Sequence, residues 1–169
     1  MKTPVPMVIT VLLAMCCPGF SGEAEPADEP GPQEKTFVVR PIGRVEKADD
    51  CTRIVLDNKY QPGLLGLEGI SHIYVFWWFD QNDTPDKRAT LQVHPRGNPQ
   101  NPLTGVFATR SPMRPNLIAL TLCKVVSIRE NIVVVEKIDA FSGTPVLDIK
   151  PFIPGHDTAA DAKNPDWLK

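Results

Sequence analysis

Three arginines stand in turns braced by proline. Arg96 leads into Gly97-Asn98-Pro99, Arg110 ends an apolar stretch before Ser111-Pro112, and Arg114 lies between Pro112 and Pro115. Proline fixes its own φ and restricts the residue before it, so such loops hold a guanidinium at low entropic cost. A guanidinium binds a carboxylate or phosphate through two parallel hydrogen bonds. The chemistry offered is therefore anion binding, with carbonyl capping by the same side chains as the structural alternative. The three share a block, Lys87 to Arg129, that holds seven basic residues and no acid. The flanking stretches Thr36–Asp86 and Glu130–Lys169 each carry a surplus of three acids, and the whole chain has a net charge of −2. A local cationic block in an acidic context points to a site for an anion rather than to a generally basic, nucleic-acid-coating surface.

Two further stretches carry polar groups at turns. Asp139 precedes Ala140-Phe141 and the turn Ser142-Gly143-Thr144-Pro145, where Gly143 can take a positive φ. Its carboxylate can accept hydrogen bonds from a ligand's amine or hydroxyls, or from the turn's own N–H groups. Asp148 and Lys150 alternate with apolar residues and so share one strand face, where they can pair or meet a substrate. His72, His94 and His156 are far apart and no metal-ligand spacing is present, so no metal is expected. The chain has no G-x-G-x-x-G, P-loop, H-E-x-x-H or G-x-S-x-G, which argues against a Rossmann methyltransferase and the common hydrolases.

The elements that must position these groups read as short strands. Apolar, β-branched runs bounded by turn residues cover Thr36–Val45, Arg53–Leu56, His72–Phe79, Leu91–His94, Gly105–Thr109, Ile118–Ile128, Ile132–Ile138 and Val146–Ile149. Eighteen prolines disfavour long helices. The expected fold is mostly β, a single-domain closed or nearly closed β-barrel that leaves no exposed edge. Short peripheral helices are expected at Gln61–Gly69 and Asp157–Lys163. His72–Phe79 (HIYVFWWF) is apolar on both faces, as expected of a central strand that is plain core or lines a pocket.

The N-terminus reads differently. Lys2, the apolar run Met7–Cys17 and the small residues Gly19 and Ser21 suggest a signal peptide over residues 1–21 and export to the periplasm or beyond. Two alternatives stand beside it: a lipoprotein anchored to the membrane at Cys16, and a cytoplasmic protein whose translation starts at Met15. Gly22–Lys35 holds five acids, three prolines and no aliphatic residue larger than alanine, so residues 22–35 are expected to be a disordered linker. The folded domain is expected over residues 36–169. Its cysteines, Cys51 and Cys123, are expected as separate thiols, with a disulfide after export as the alternative.

At the loop residues the chain resembles a known family. Gly105-Val-Phe-Ala-Thr-Arg-Ser-Pro-Met-Arg-Pro-Asn116 and Gly143-Thr-Pro-Val-Leu-Asp-Ile-Lys-Pro151 are similar to the signature of the TsaA-like family, related to tRNA methyltransferase O. Leu67–His72 resembles its upstream motif and Pro41–Val45 its opening strand. The resemblance implies a β-barrel, homodimeric methyltransferase that uses S-adenosylmethionine and methylates N6 of threonylcarbamoyladenosine in tRNA. An exported ligand-binding module of the same fold is the other function considered. Carried over by position, the cofactor would meet Asp80, Gln81, Arg110, Leu120, Glu136, Lys137, Ile138 and Asp139. The substrate side would hold Arg96, Arg114, Asn116 and Lys150. The chain departs from the family pattern at Asp80, where histidine is common, and at Ala119, where glycine is common, and it lacks an early Arg-Gln-Pro-Gly loop.

Overall fold

Side chains alternate between two environments along every long strand, as a period of two requires. In a computed structural model that describes residues 35–48 and 51–168, β1 (Gly43–Ala48), β2 (Cys51–Leu56) and β3 (His72–Trp78) send Val45, Ile54, Leu56, Ile73, Val75 and Trp77 inward. β4 (Gln92–Val93) and β5 (Thr104–Gly105) are two residues each. β6 (Ile118–Arg129), β7 (Ile132–Val135) and β8 (Pro145–Pro151) add Ala119, Cys123, Val133, Val135 and Val146 to the same interior. Each fully buried branched aliphatic side chain contributes about 1.5–3 kcal/mol. The expected signal peptide, Cys16 anchor and Met15 start lie outside the described residues, as does the expected linker apart from Lys35.

Six strands close into a barrel in the order β1-β2-β7-β6-β3-β8, with antiparallel neighbours throughout. The closing seam between β8 and β1 is short, pairing Gly43 with Val146 and Arg44 with Pro145. It is extended past the ladder by Val45 N donating to Thr144 O at 2.9 Å and Gly143 N to Val45 O at 2.7 Å. Gly143 has a φ of 92°, the positive value its turn called for. Gly43 is demanded by proximity, since a Cβ there would strike the backbone of Val55 and Leu56.

The barrel is closed as expected, but with six of the eight anticipated strands. β4 and β5 form a separate two-stranded ribbon, pairing Gln92 with Gly105 and Val93 with Thr104. Pro95, Pro99 and Pro102 stand between them and cannot donate to a ladder. After β5 the chain turns as a 3-10 helix at Val106–Ala108 instead of running on as a strand. Residues 37–39 are exposed and belong to no strand, and β1 begins only at Gly43.

The peripheral helices are short, and two differ from expectation. The segment around Gln61–Gly69 forms 3-10 helices at Asn58–Leu64 and Leu67–Gly69. α1 (Pro85–Ala89) was not anticipated; Thr84 caps it by accepting from Lys87 N at 3.4 Å. Of the expected helix Asp157–Lys163, residues 158–163 are not helical. The turn α2 (Pro154–Asp157) stands just before them, and the Asp157 carboxylate accepts from Ile153 N at 2.7 Å. A run of alanines without an apolar face to bury gains too little to nucleate a helix.

Candidate functional site

One end of the β3–β6 pair opens into a cavity of about 650 Å³. Strands give it a fixed floor. Trp77 on β3 donates its indole N–H to Thr121 Oγ1 on β6 at 3.0 Å, and its ring meets Phe79 edge-on at 4.7 Å. Ala119 and Leu120, opposite Trp77 and Phe76 in the ladder, continue that floor. The methyl of Ala119 is buried, and it fills the space a glycine would leave open.

Loops supply the charge. Asp80 follows β3, Asp139 and Phe141 precede β8, and Arg110 and Arg114 come from the proline-braced loop before β6. Asp80 Oδ1 accepts from the buried Thr144 hydroxyl at 3.4 Å, which ties the β3 end to the β8 turn. Arg114 donates to Val106 O at 3.2 Å and so braces its loop as well as facing the cavity. The side chains of Gln81, Arg110 and Asp139 make no hydrogen bond or ion pair among the described residues, although all three line the cavity. Two carboxylates and two guanidiniums thus face one space.

The loop is held by a cluster that the sequence did not announce. Arg88 on α1 donates Nε to Asp83 Oδ1 at 2.7 Å and Nη1 to Pro115 O at 2.9 Å, and its guanidinium lies 5.3 Å from the Trp78 ring. Trp78 Nε1 donates to Asp83 Oδ2 at 3.2 Å. The bonds from Arg88, then that from Trp78, hold the Asp83 carboxyl below the usual carboxylate range. The far contact of this clamp is the backbone carbonyl of Pro115, which no sequence pattern reveals.

A second, larger cavity of about 1160 Å³ adjoins the first, with Arg110 and Pro112 in both walls. Arg96 lines it from a backbone at φ 59°, ψ 18°, a left-handed conformation that costs a residue with a Cβ about 1 kcal/mol.

The sequence-derived residues divide accordingly. Asp80, Gln81, Arg110, Leu120 and Asp139 share the smaller cavity, and Arg114, placed on the substrate side, joins them there. Arg96 lines the larger cavity. Glu136 lies outside both, paired with Lys124 at 2.7 Å, which lowers its carboxyl pKa. Lys137 is exposed away from both cavities, and Ile138 is barrel core. Asn116 lines neither and accepts from Ile118 N through its carbonyl at 2.7 Å. Lys150 pairs with Asp148 at 3.1 Å across β8. Cys51 and Cys123 are free thiols, and burial pushes that of Cys123 up to about 11. Trp77, Phe79, Phe141 and Thr144 were not singled out as ligand residues; only the apolar outline of His72–Phe79 suggested a pocket wall.

Comparison with other proteins places this barrel in a family. The chain belongs to the tRNA-methyltransferase O family, matching the model of its N-terminal domain over residues 38–158. It is 45% identical over 116 residues, 69% of the chain and 92% of the relative, to a probable S-adenosyl-L-methionine-binding protein of Methanocaldococcus jannaschii. It is 41% identical to the human tRNA (adenine(37)-N6)-methyltransferase over 68% of the chain but only 26% of that enzyme. The crystal structure of TrmO from Pseudomonas aeruginosa superposes with a TM-score of 0.62 at 28% identity, over 80% of this chain and 63% of that one. The chain therefore spans just under two thirds of the solved relative.

Proposed function

We propose that this chain is an S-adenosylmethionine-dependent methyltransferase acting on N6 of threonylcarbamoyladenosine in tRNA. The observation that carries this reading is the convergence of Arg110 and Asp139 on one cavity with Asp80, Gln81 and Leu120. Family membership adds the reaction class, and relatives named as S-adenosyl-L-methionine-binding add the cofactor.

The residues present fit that cofactor. S-adenosylmethionine carries two cationic centres and one carboxylate. Asp80 and Asp139 match the cations, and Arg110 and Arg114 match the carboxylate by charge-assisted hydrogen bonds. Trp77, Phe79, Leu120 and Phe141 offer apolar and aromatic surface to the adenine. The cavity volume of about 650 Å³ is in the range of pockets that enclose small cofactors. When bound, the cofactor supplies an already activated methyl group. The chain's task is then to align donor and acceptor and to keep water out.

The homodimer is part of the same proposal. Ile118, Leu120 and Leu122 form an outward apolar row on β6, 41, 38 and 45% exposed, at the edge of the cavity. A second copy covering it would also shield the bound cofactor. Export is inferred from residues 1–21 alone, and mass spectrometry of the native N-terminus tests it. An intact Met1 on cytosolic protein would contradict it.

Two assays test the enzyme itself. S-adenosylmethionine is expected to raise the unfolding temperature of the purified chain, and methyl transfer is expected to an anticodon stem-loop bearing threonylcarbamoyladenosine. No thermal shift at millimolar cofactor would overturn the reading. A shift without transfer would leave the non-catalytic binding module of the same fold.

A further inference from the structure

The proposed function gives the smaller cavity to the methyl donor and leaves the larger one unassigned. The two share Arg110 and Pro112, so a molecule in the second cavity would abut one in the first. Methyl transfer requires such adjacency of donor and acceptor.

The larger cavity has the chemistry of a site for an aromatic base with an anionic group attached. Phe107 is 81% exposed on its rim, an unusual position for an aromatic ring with no partner to cover it. Trp167 supplies a second aromatic wall, within the 3-10 turn Asp166–Leu168 near the C-terminus. Arg96 and Arg110 bring positive charge to the same lining, and no acidic residue is among its described lining groups. His94 Nδ1 lies 2.8 Å from Asn101 O. A carbonyl only accepts, so Nδ1 carries a proton in this contact, and in the neutral ring Nε2 is an acceptor for an exocyclic N–H. The left-handed backbone at Arg96 is the kind of local strain that persists where the surroundings fix a residue for use.

The tail adds a point specific to this chain. The family match ends at residue 158, yet Asn164, Trp167 and Leu168 close one side of the cavity. We propose that the larger cavity is the acceptor site, that it takes an adenine nucleoside bearing a carboxylate, and that Trp167 completes it by stacking on the base. This rests on the methyltransferase reading for the identity of the neighbouring donor site.

Calorimetric titration of the full chain tests it, using N6-threonylcarbamoyladenosine with S-adenosylhomocysteine present. Stacking on an aromatic side chain makes a loss of about tenfold or more in nucleoside affinity the expected result for Trp167→Ala, with Trp167→Phe retaining most of it. Affinity for S-adenosylmethionine is expected to stay unchanged in both variants. The same loss is expected with the nucleoside carried in an anticodon stem-loop RNA, and unmodified adenosine, which lacks the carboxylate, is expected to bind more weakly than the modified nucleoside. Wild-type nucleoside affinity in Trp167→Ala, or an equal loss of cofactor affinity, would overturn the proposal. Failure of the wild-type chain to bind S-adenosylmethionine would instead strike the donor-site reading, and the nucleoside titrations would still report on Trp167.

Discussion

The two walls of the proposed donor cavity are built by different physics. The strand wall, with Trp77 and Ala119, belongs to a closed barrel around a continuous buried apolar core. The loop wall, with Arg110 and Arg114, belongs to a block between α1 and β6 that contributes few buried side chains and hangs on a few polar bonds, chiefly from Arg88 and Arg114. The first wall sets where a ligand sits. The second sets which charges it meets. Substitutions in the barrel should therefore act on stability and those in the loop on binding.

The largest effect is expected in the barrel. Ile54→Ala removes a fully buried side chain and should cost about 2–5 kcal/mol in urea unfolding, with a reduced midpoint and a similar slope. A loss below ~1 kcal/mol would mean the interior is looser than its burial implies. In the loop wall, Arg88→Ala frees Asp83 from an exposed bond and the Pro115 carbonyl from a partly buried one. Global stability should change little, because solvent screens the exposed ion pair. Limited proteolysis between residues 85 and 116 should nevertheless quicken several-fold, since local opening is governed by these few bonds. Equal proteolysis rates would show that the clamp does not order the loop.

The smallest effect concerns acid. The Asp83 carboxyl is held below its usual value, by the Arg88 bonds first and the Trp78 bond second. A depressed native pKa gives stability that is present above the unfolded value near ~3.9 and is lost as pH falls through the native value. Asp83→Asn should thus lower the unfolding temperature slightly at neutrality, flatten its decline below pH of about 4, and converge with the wild type in acid. An unchanged acid limb would remove Asp83 from the account.

Much of this division was legible in the sequence, and the failures are instructive. The short, β-branched apolar runs bounded by turn residues announced the barrel strands, along which the structure alternates interior and exterior positions. The same signal over-reached at β4 and β5, which pair only with each other and add no side chain to the barrel core, and where prolines limit the ladder. Glycine and proline marked the Gly143 turn and the Arg110 loop, since each residue acts through its own backbone. The contiguous run Glu136–Asp139 gave only Asp139 to the cavity. Past the end of β7 the chain turns, sending Ile138 into the core and Glu136 to Lys124. Contacts made through backbone atoms or between distant segments, such as Arg88 with Pro115 or Trp167 with the second cavity, leave no local pattern to read.

The central claim is that Arg110 and Asp139 grip one ligand from two sides. Calorimetric titration of S-adenosylmethionine into the wild type, Arg110→Ala and Asp139→Ala tests it most directly. Charge-assisted hydrogen bonds of about 1.5–3 kcal/mol make a tenfold or greater loss of affinity the expected result in each variant. Both residues are exposed, so unfolding temperatures should match the wild type. Wild-type affinity in either variant would contradict the shared site.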